Sequence, residues 1–115
     1  MMGRARTELP QVDEAAIARM TQRIVEAFHP IRVVLFGSQA RGDTGRDSDI
    51  DLFIEMQSSE SPRARRLAVR ELLDDEGYPL DVVVLTPAEA AQARSQSGSI
   101  LSYIDAEGRV LYERG

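Results

Sequence analysis

At 115 residues, with 19 acidic against 14 basic side chains and a net charge of −5, the chain has the size of one domain that buries about two thirds of its unfolded surface. Its charge argues against sequence-independent nucleic-acid binding through one broad basic face. The lack of cysteine and the single histidine, His29, exclude disulfides, thiolate metal sites and histidine-rich zinc sites, so any metal must be held by oxygen.

The longest apolar runs, around Val33 to Phe36 and Val82 to Leu85, fall far short of a membrane span, and the N-terminus is polar with no signal-peptide core. A soluble, cytoplasmic protein is the expectation. Residues 1–12 are polar, contain Pro10 and show no periodicity, so they read as a flexible arm ahead of a domain over 13–115. From Asp13 the pattern changes, with Ile17, Met20, Ile24 and Phe28 at spacings of three and four. That is an amphipathic helix, capped by Asp13 and closed near Phe28 or His29 because Pro30 disfavours helical geometry before it. Ile31 to Phe36, bounded by Pro30 and Gly37, suits a buried strand.

The segment Ser38 to Asp47, with Asp43, Gly42 and Gly45, reads as at most one helical turn and then a loop. Asp49 to Glu55 alternates Asp49, Asp51 and Phe53 with Ile50, Leu52 and Ile54, the pattern of a strand. Ser61-Pro62 opens a second helix, expected to reach Glu76 and stop at Gly77. Leu67, Ala68, Leu72 and Leu73 read as its core stripe. Arg63, Arg65, Arg66 and Arg70 read as a basic first half, Asp74 to Glu76 as an acidic end, an order that opposes the helix dipole. Leu80 to Leu85 reads as a third strand carrying a buried carboxylate, Asp81. Thr86-Pro87-Ala88-Glu89 is a capping box before an alanine-rich helix, a shorter helix follows over Ile100 to Asp105, and Arg109 to Glu113 reads as a final strand at the sheet edge. The fold class is α/β, a small mixed sheet of three to four strands flanked by helices.

Two carboxylates one residue apart in an apolar strand cost stability unless a cation occupies the site. Their Cα atoms lie about 6.6 Å apart with both side chains on one face, a spacing that can bracket two metal ions. Hard cations such as Mg²⁺ take carboxylate oxygens together with substrate phosphates. Asp81 on a neighbouring strand would supply a third ligand. Gly37 lets the backbone approach a ligand closely, and a helical turn beginning there would aim N–H groups and the Ser38 hydroxyl at an anion. Arg41 could add a forked phosphate contact or pair with Asp43 or Asp47.

Gly37-Ser38, ten residues, then Asp49-Ile50-Asp51, with Arg41-Gly42 in the spacer and Asp81 on a later strand, resembles the minimal nucleotidyltransferases (MNT type) of the polymerase-beta-like superfamily. The resemblance implies that fold, Mg²⁺ on Asp49, Asp51 and Asp81, and a nucleoside triphosphate held by Gly37, Ser38 and Arg41. It also implies Asp81 as the group that helps activate an attacking hydroxyl. Larger relatives carry a second, helical substrate domain that 115 residues do not accommodate, which favours an acceptor on another protein. Proteins of this type are paired with HEPN-domain toxins. The resemblance therefore implies a type VII-like antitoxin that moves AMP from ATP to a hydroxyl, typically a tyrosine, of the toxin. The alternative is a non-catalytic antitoxin that neutralises its partner by occlusion. DNA binding through Arg63 to Arg70 ranks behind both.

Overall fold

The computed structural model describes residues 14–37 and 49–114. Helix α1 (Glu14–Phe28) turns Ala16, Ile17, Met20 and Ile24 inward. It ends where the periodicity places the end: His29 adopts a left-handed φ of 50°, its N–H donates to the Val25 carbonyl at 3.0 Å, and its own carbonyl accepts from Arg114. The Asp13 cap lies outside the described residues.

Strands β1 (Arg32–Phe36) and β2 (Ile50–Glu55) pair antiparallel, with Val34 opposite Phe53 and Phe36 opposite Asp51. Helix α2 (Pro62–Leu73) starts on the Ser61 hydroxyl, which accepts from the Ala64 N–H at 3.1 Å. Its last turn tightens into a 3₁₀ segment over Asp74–Glu76, closed by Gly77 at φ 83°. Strand β3 (Leu80–Leu85) returns parallel to β2. The capping box of Thr86 and Glu89 opens α3 (Pro87–Arg94), Ser99 caps α4 (Ile100–Glu107), and β4 (Arg109–Glu113) closes on β1. The sheet order is β3-β2-β1-β4, so β4 is an edge strand as its alternation implies, and the sheet is mixed.

Strand alternation divides the core in two. On one face α1 and α2 cover Val33, Leu35, Ile50, Leu52, Ile54, Val82 and Val84. On the other, α3 and α4 bring Ala90, Leu101 and Ile104 onto Val34, Phe36 and Phe53. Together these layers bury Phe36, Phe53 and most of the strand valines, isoleucines and leucines, the dominant favourable term in folding.

Of the stripe expected on α2, Leu73 is buried and Ala68 and Leu72 are half-buried, but Leu67 faces outward and Arg65 inward. Leu67 is 43% exposed and Arg65 only 5%; the inward line is Arg65, Val69 and Leu73. The guanidinium can be buried because its donors are satisfied. It forks onto Glu89 at 2.7 and 3.2 Å and donates to the Val84 and Glu60 carbonyls at 3.2 and 3.0 Å, the full pairing that a buried charge demands. Arg65 is therefore a latch between α2 and α3, not part of a solvated face. In return, its bonds and the Thr86 backbone N–H pull the Glu89 carboxyl down from 4.5 to about 2.

The acidic end of α2 also has a structural explanation. Arg19 of α1 forks onto Glu76 at 3.0 and 2.7 Å, and Arg23 reaches Glu76, Asp75 and the Leu72 carbonyl at 2.8, 2.9 and 2.8 Å. Two cations from another helix sit at this helix end and offset the carboxylates that the local sequence places there. Glu76 is held below its ordinary range, first by its hydrogen bond to Arg19.

Candidate active site

On the α3–α4 face the strand registers stack side chains in three rows across the sheet. The middle row, Val34, Phe53 and Val83, is apolar and packs beneath the helices. One end row holds Arg32 and Glu55, 3.6 Å apart, with Arg94 and Asp105 joining from α3 and α4. The Arg32 guanidinium also lies 5.7 Å from the Phe53 ring centroid, a cation–π contact. The other end row is Phe36, Asp51 and Asp81, since Phe36 is the register partner of Asp51 and Asp51 that of Asp81. Asp49, expected as the first residue of this strand, lies just before it, since β2 begins at Ile50.

This end row carries the predicted carboxylates. Adjacent strands are about 4.8 Å apart, so Asp51 and Asp81 project side by side. Asp81 is exposed, not buried as its apolar strand suggested, and Asp49 is exposed and Asp51 half-buried. Their row lies at the strand ends, beyond the helices that seal Phe53 and Val83. The desolvation cost read from the sequence is smaller for that reason, while repulsion between paired carboxylates remains. Among the described residues, no three such side chains are close enough to ligate one ion together. Strand register aligns Asp51 with Asp81, and Asp49 lies one residue before β2.

Gly37 joins this row. It follows Phe36 at φ 76°, and a Cβ on it would meet Asp51 Oδ2 at 2.1 Å and Asp51 Cγ at 3.0 Å. The Asp51 carboxylate therefore lies over the bare Cα of Gly37, in space that any side chain would take. The sequence argument for glycine was close approach to a ligand; the structure shows close approach to the predicted metal-ligating carboxylate. Ser38 and Arg41 lie outside the described residues.

Helix α4 contributes a neighbour that sequence reasoning missed. Tyr103 meets Phe36 edge to face, with centroids 6.4 Å apart and planes at 86°, and remains 40% exposed. Its distance along the chain from Phe36 and its place in a short helix with no motif left no signal. Only the packing of α4 on β1 brings the two together.

The order of elements and the mixed sheet are those of the nucleotidyltransferase fold. The nucleotidyltransferase domain model matches residues 17–104, and the chain belongs to that family. Among curated proteins none matches it in sequence. Solved structures share the fold. A chain from the crystal structure of a toxin–antitoxin with AMP-PNP is 21% identical at a TM-score of 0.62, over 84% of this chain and 73% of that one. One from the MntA-HepT toxin–antitoxin is 16% identical at 0.59, over 89% and 74%. One from the tri-AMPylated Shewanella oneidensis HEPN toxin in complex with MNT antitoxin is 17% identical at 0.59, over 88% and 72%.

Proposed function

We propose that the chain is an antitoxin enzyme that transfers AMP from ATP to a hydroxyl, expected to be a tyrosine, of a HEPN-type toxin. One observation carries this reading: Asp51 and Asp81 are register partners, and the Asp51 carboxylate lies over Gly37. Family membership supplies the reaction class. The toxin–antitoxin neighbours, one with AMP-PNP and one with a tri-AMPylated toxin, support the choice of donor and acceptor.

The donor set is all carboxylate and fits a hard cation; Asp49, Asp51 and Asp81 would hold Mg²⁺. When bound, a pair of such ions neutralises the triphosphate and aligns its α-phosphate for in-line displacement. Gly37, with Ser38 and Arg41, holds the triphosphate. The acceptor oxygen bonds to the α-phosphorus as the bond to the bridging oxygen of pyrophosphate breaks, and pyrophosphate leaves with the electron pair. Asp81, exposed on the edge strand β3, takes the hydroxyl proton and returns it to water. Residues 13–115 form the catalytic unit in this reading and work in the cytoplasm. Among the described residues no helix is long and apolar enough to cross a membrane.

The test is to incubate the chain with Mg²⁺, ATP and the HEPN-domain protein encoded beside it, and to look for added AMP on the intact toxin by mass spectrometry. An adduct that disappears with Asp49→Asn and Asp51→Asn supports the proposal. No adduct with the wild type, or the same adduct with both variants, overturns it. Aspartate variants that still neutralise the toxin would favour occlusion.

A further inference from the structure

The described arginines fall into two groups. Arg19, Arg23, Arg32, Arg65, Arg94 and Arg109 each pair with a carboxylate, and Arg114 donates to a backbone carbonyl. Arg63, Arg66 and Arg70 pair with nothing among the described residues, and all three are exposed on α2. Their spacing of three and four places them on one face. Leu67, 43% exposed, lies in the middle of that face. Glu71 and Asp74 continue it, and a shallow depression of about 380 Å³ lies among Leu67, Arg70, Glu71 and Asp74.

This arrangement works against the helix. Like charges three and four residues apart repel, and Arg63 in the first turn opposes the helix dipole, although Arg70 in the last turn suits it. Arg65, the one arginine of the run with a structural task, points the other way. The exposed Leu67 gives this face an apolar centre within a cationic rim, and arginine is enriched where the binding energy of protein interfaces concentrates.

We propose that this face of α2 docks an acidic surface of the acceptor protein, an inference that rests on the function proposed above. The charge order favours a protein over a nucleic acid. Arg63, Arg66 and Arg70 are followed by Glu71 and Asp74, a pattern matched by a protein face with the opposite order and an apolar side chain over Leu67. A phosphate backbone is negative throughout and meets repulsion at the acidic end, on a chain whose net charge is −5. The position also suits the reaction. Helix α2 packs against the edge strand β3 on the face opposite the carboxylate row, so a partner seated on α2 borders the edge around which a hydroxyl reaches Asp81.

The test compares the full chain with an R63E/R66E/R70E variant, measuring affinity for the HEPN-domain toxin by calorimetry and AMP transfer at steady state. The dissociation constant and the KM for the toxin should each rise at least about tenfold. The KM for ATP and kcat at saturating toxin should stay within about twofold. Wild-type affinity should fall with salt and that of the variant should not. The Tm should fall by no more than a few degrees, since R63E suits the first turn of the helix while R70E, in the last turn, opposes the dipole and faces Asp74. If the variant melts lower than that, an R63Q/R66Q/R70Q protein carries the same comparison.

Unchanged toxin affinity in a folded variant overturns the surface while leaving AMP transfer standing. Stripe-dependent binding without any AMP transfer overturns the proposed reaction and leaves the surface standing. No binding by the wild type overturns both. A DNA duplex that binds the wild type but not the variant, with toxin affinity unchanged, assigns the stripe to nucleic acid and overturns the proposal.

Discussion

Alanine at Gly37 separates a working carboxylate row from a merely structural one. Gly37 has a φ of 76°, a conformation that costs a residue with a Cβ about 1–2 kcal/mol. The new methyl carbon would also lie 2.1 Å from Asp51 Oδ2. That oxygen ends a half-buried side chain on the inner strand β2, and the carboxylate gives way before the backbone does. The consequence falls on geometry. Restoring ordinary contact moves the oxygen by about 1 Å, and at a reacting centre a misplacement of that size costs on the order of 100-fold in rate. Thermal unfolding should therefore show a fall of roughly 4–10 °C in Tm, while AMP transfer by the folded protein drops about 100-fold. A variant that loses the stability but keeps transfer within about threefold would refute the reasoning, because Asp51 would then have no need of its place over Gly37.

Asp51→Asn and Asp81→Asn should each lower AMP transfer by about 10³-fold, and Asp81→Asn, at an exposed position beside Asp51, should leave Tm unchanged or higher. Chelation with EDTA should reproduce the loss in the wild type and Mg²⁺ should reverse it; transfer that survives EDTA would refute the metal assignment. Glu89 titrates at about 2 folded against its ordinary 4.5. Its folded pKa is depressed, so its contribution to stability is complete above the ordinary value and is lost as pH falls towards the folded one. Glu89→Gln should flatten that stretch of the acid unfolding curve and lower stability at neutral pH, and an unchanged acid limb would refute the coupling to Arg65. Thr86→Ala removes the hydroxyl that accepts the Glu89 N–H at 3.2 Å and should cost about 1 kcal/mol by urea unfolding.

Local signals placed most of the elements. Apolar spacing over Ile17 to Phe28, the serine–proline start of α2, the capping box of α3 and the alternation of β2 each depend on residues within one or two turns of each other. Those helix starts and strands stand where the local chemistry puts them. Helix phase was less legible. In α2 several leucines and alanines could have formed the inward stripe, and Arg65 was indistinguishable from its arginine neighbours. What selected the phase was Glu89, on another helix, and the Val84 carbonyl of β3, both brought within reach by folding, with the nearby Glu60 carbonyl taking a third donor. The acidic end of α2 likewise made sense only once Arg19 and Arg23 were seen to meet it.

The candidate site divides the same way. Residue order alone carries the types and sequence of its groups: a glycine turn after one strand, Asp49 and Asp51 two apart at the start of the next, and Asp81 on a third. Chain-local periodicity puts Asp49 and Asp51 on one face, because strand side chains alternate with period two. Tertiary structure alone decided the rest. Strand register made Asp51 and Asp81 partners, the tight turn at Gly37 set its Cα beneath the Asp51 carboxylate, and the docking of α4 brought Tyr103 to Phe36. Those contacts join residues far apart in the chain, and their geometry follows from which faces pack together, which no stretch of local sequence encodes.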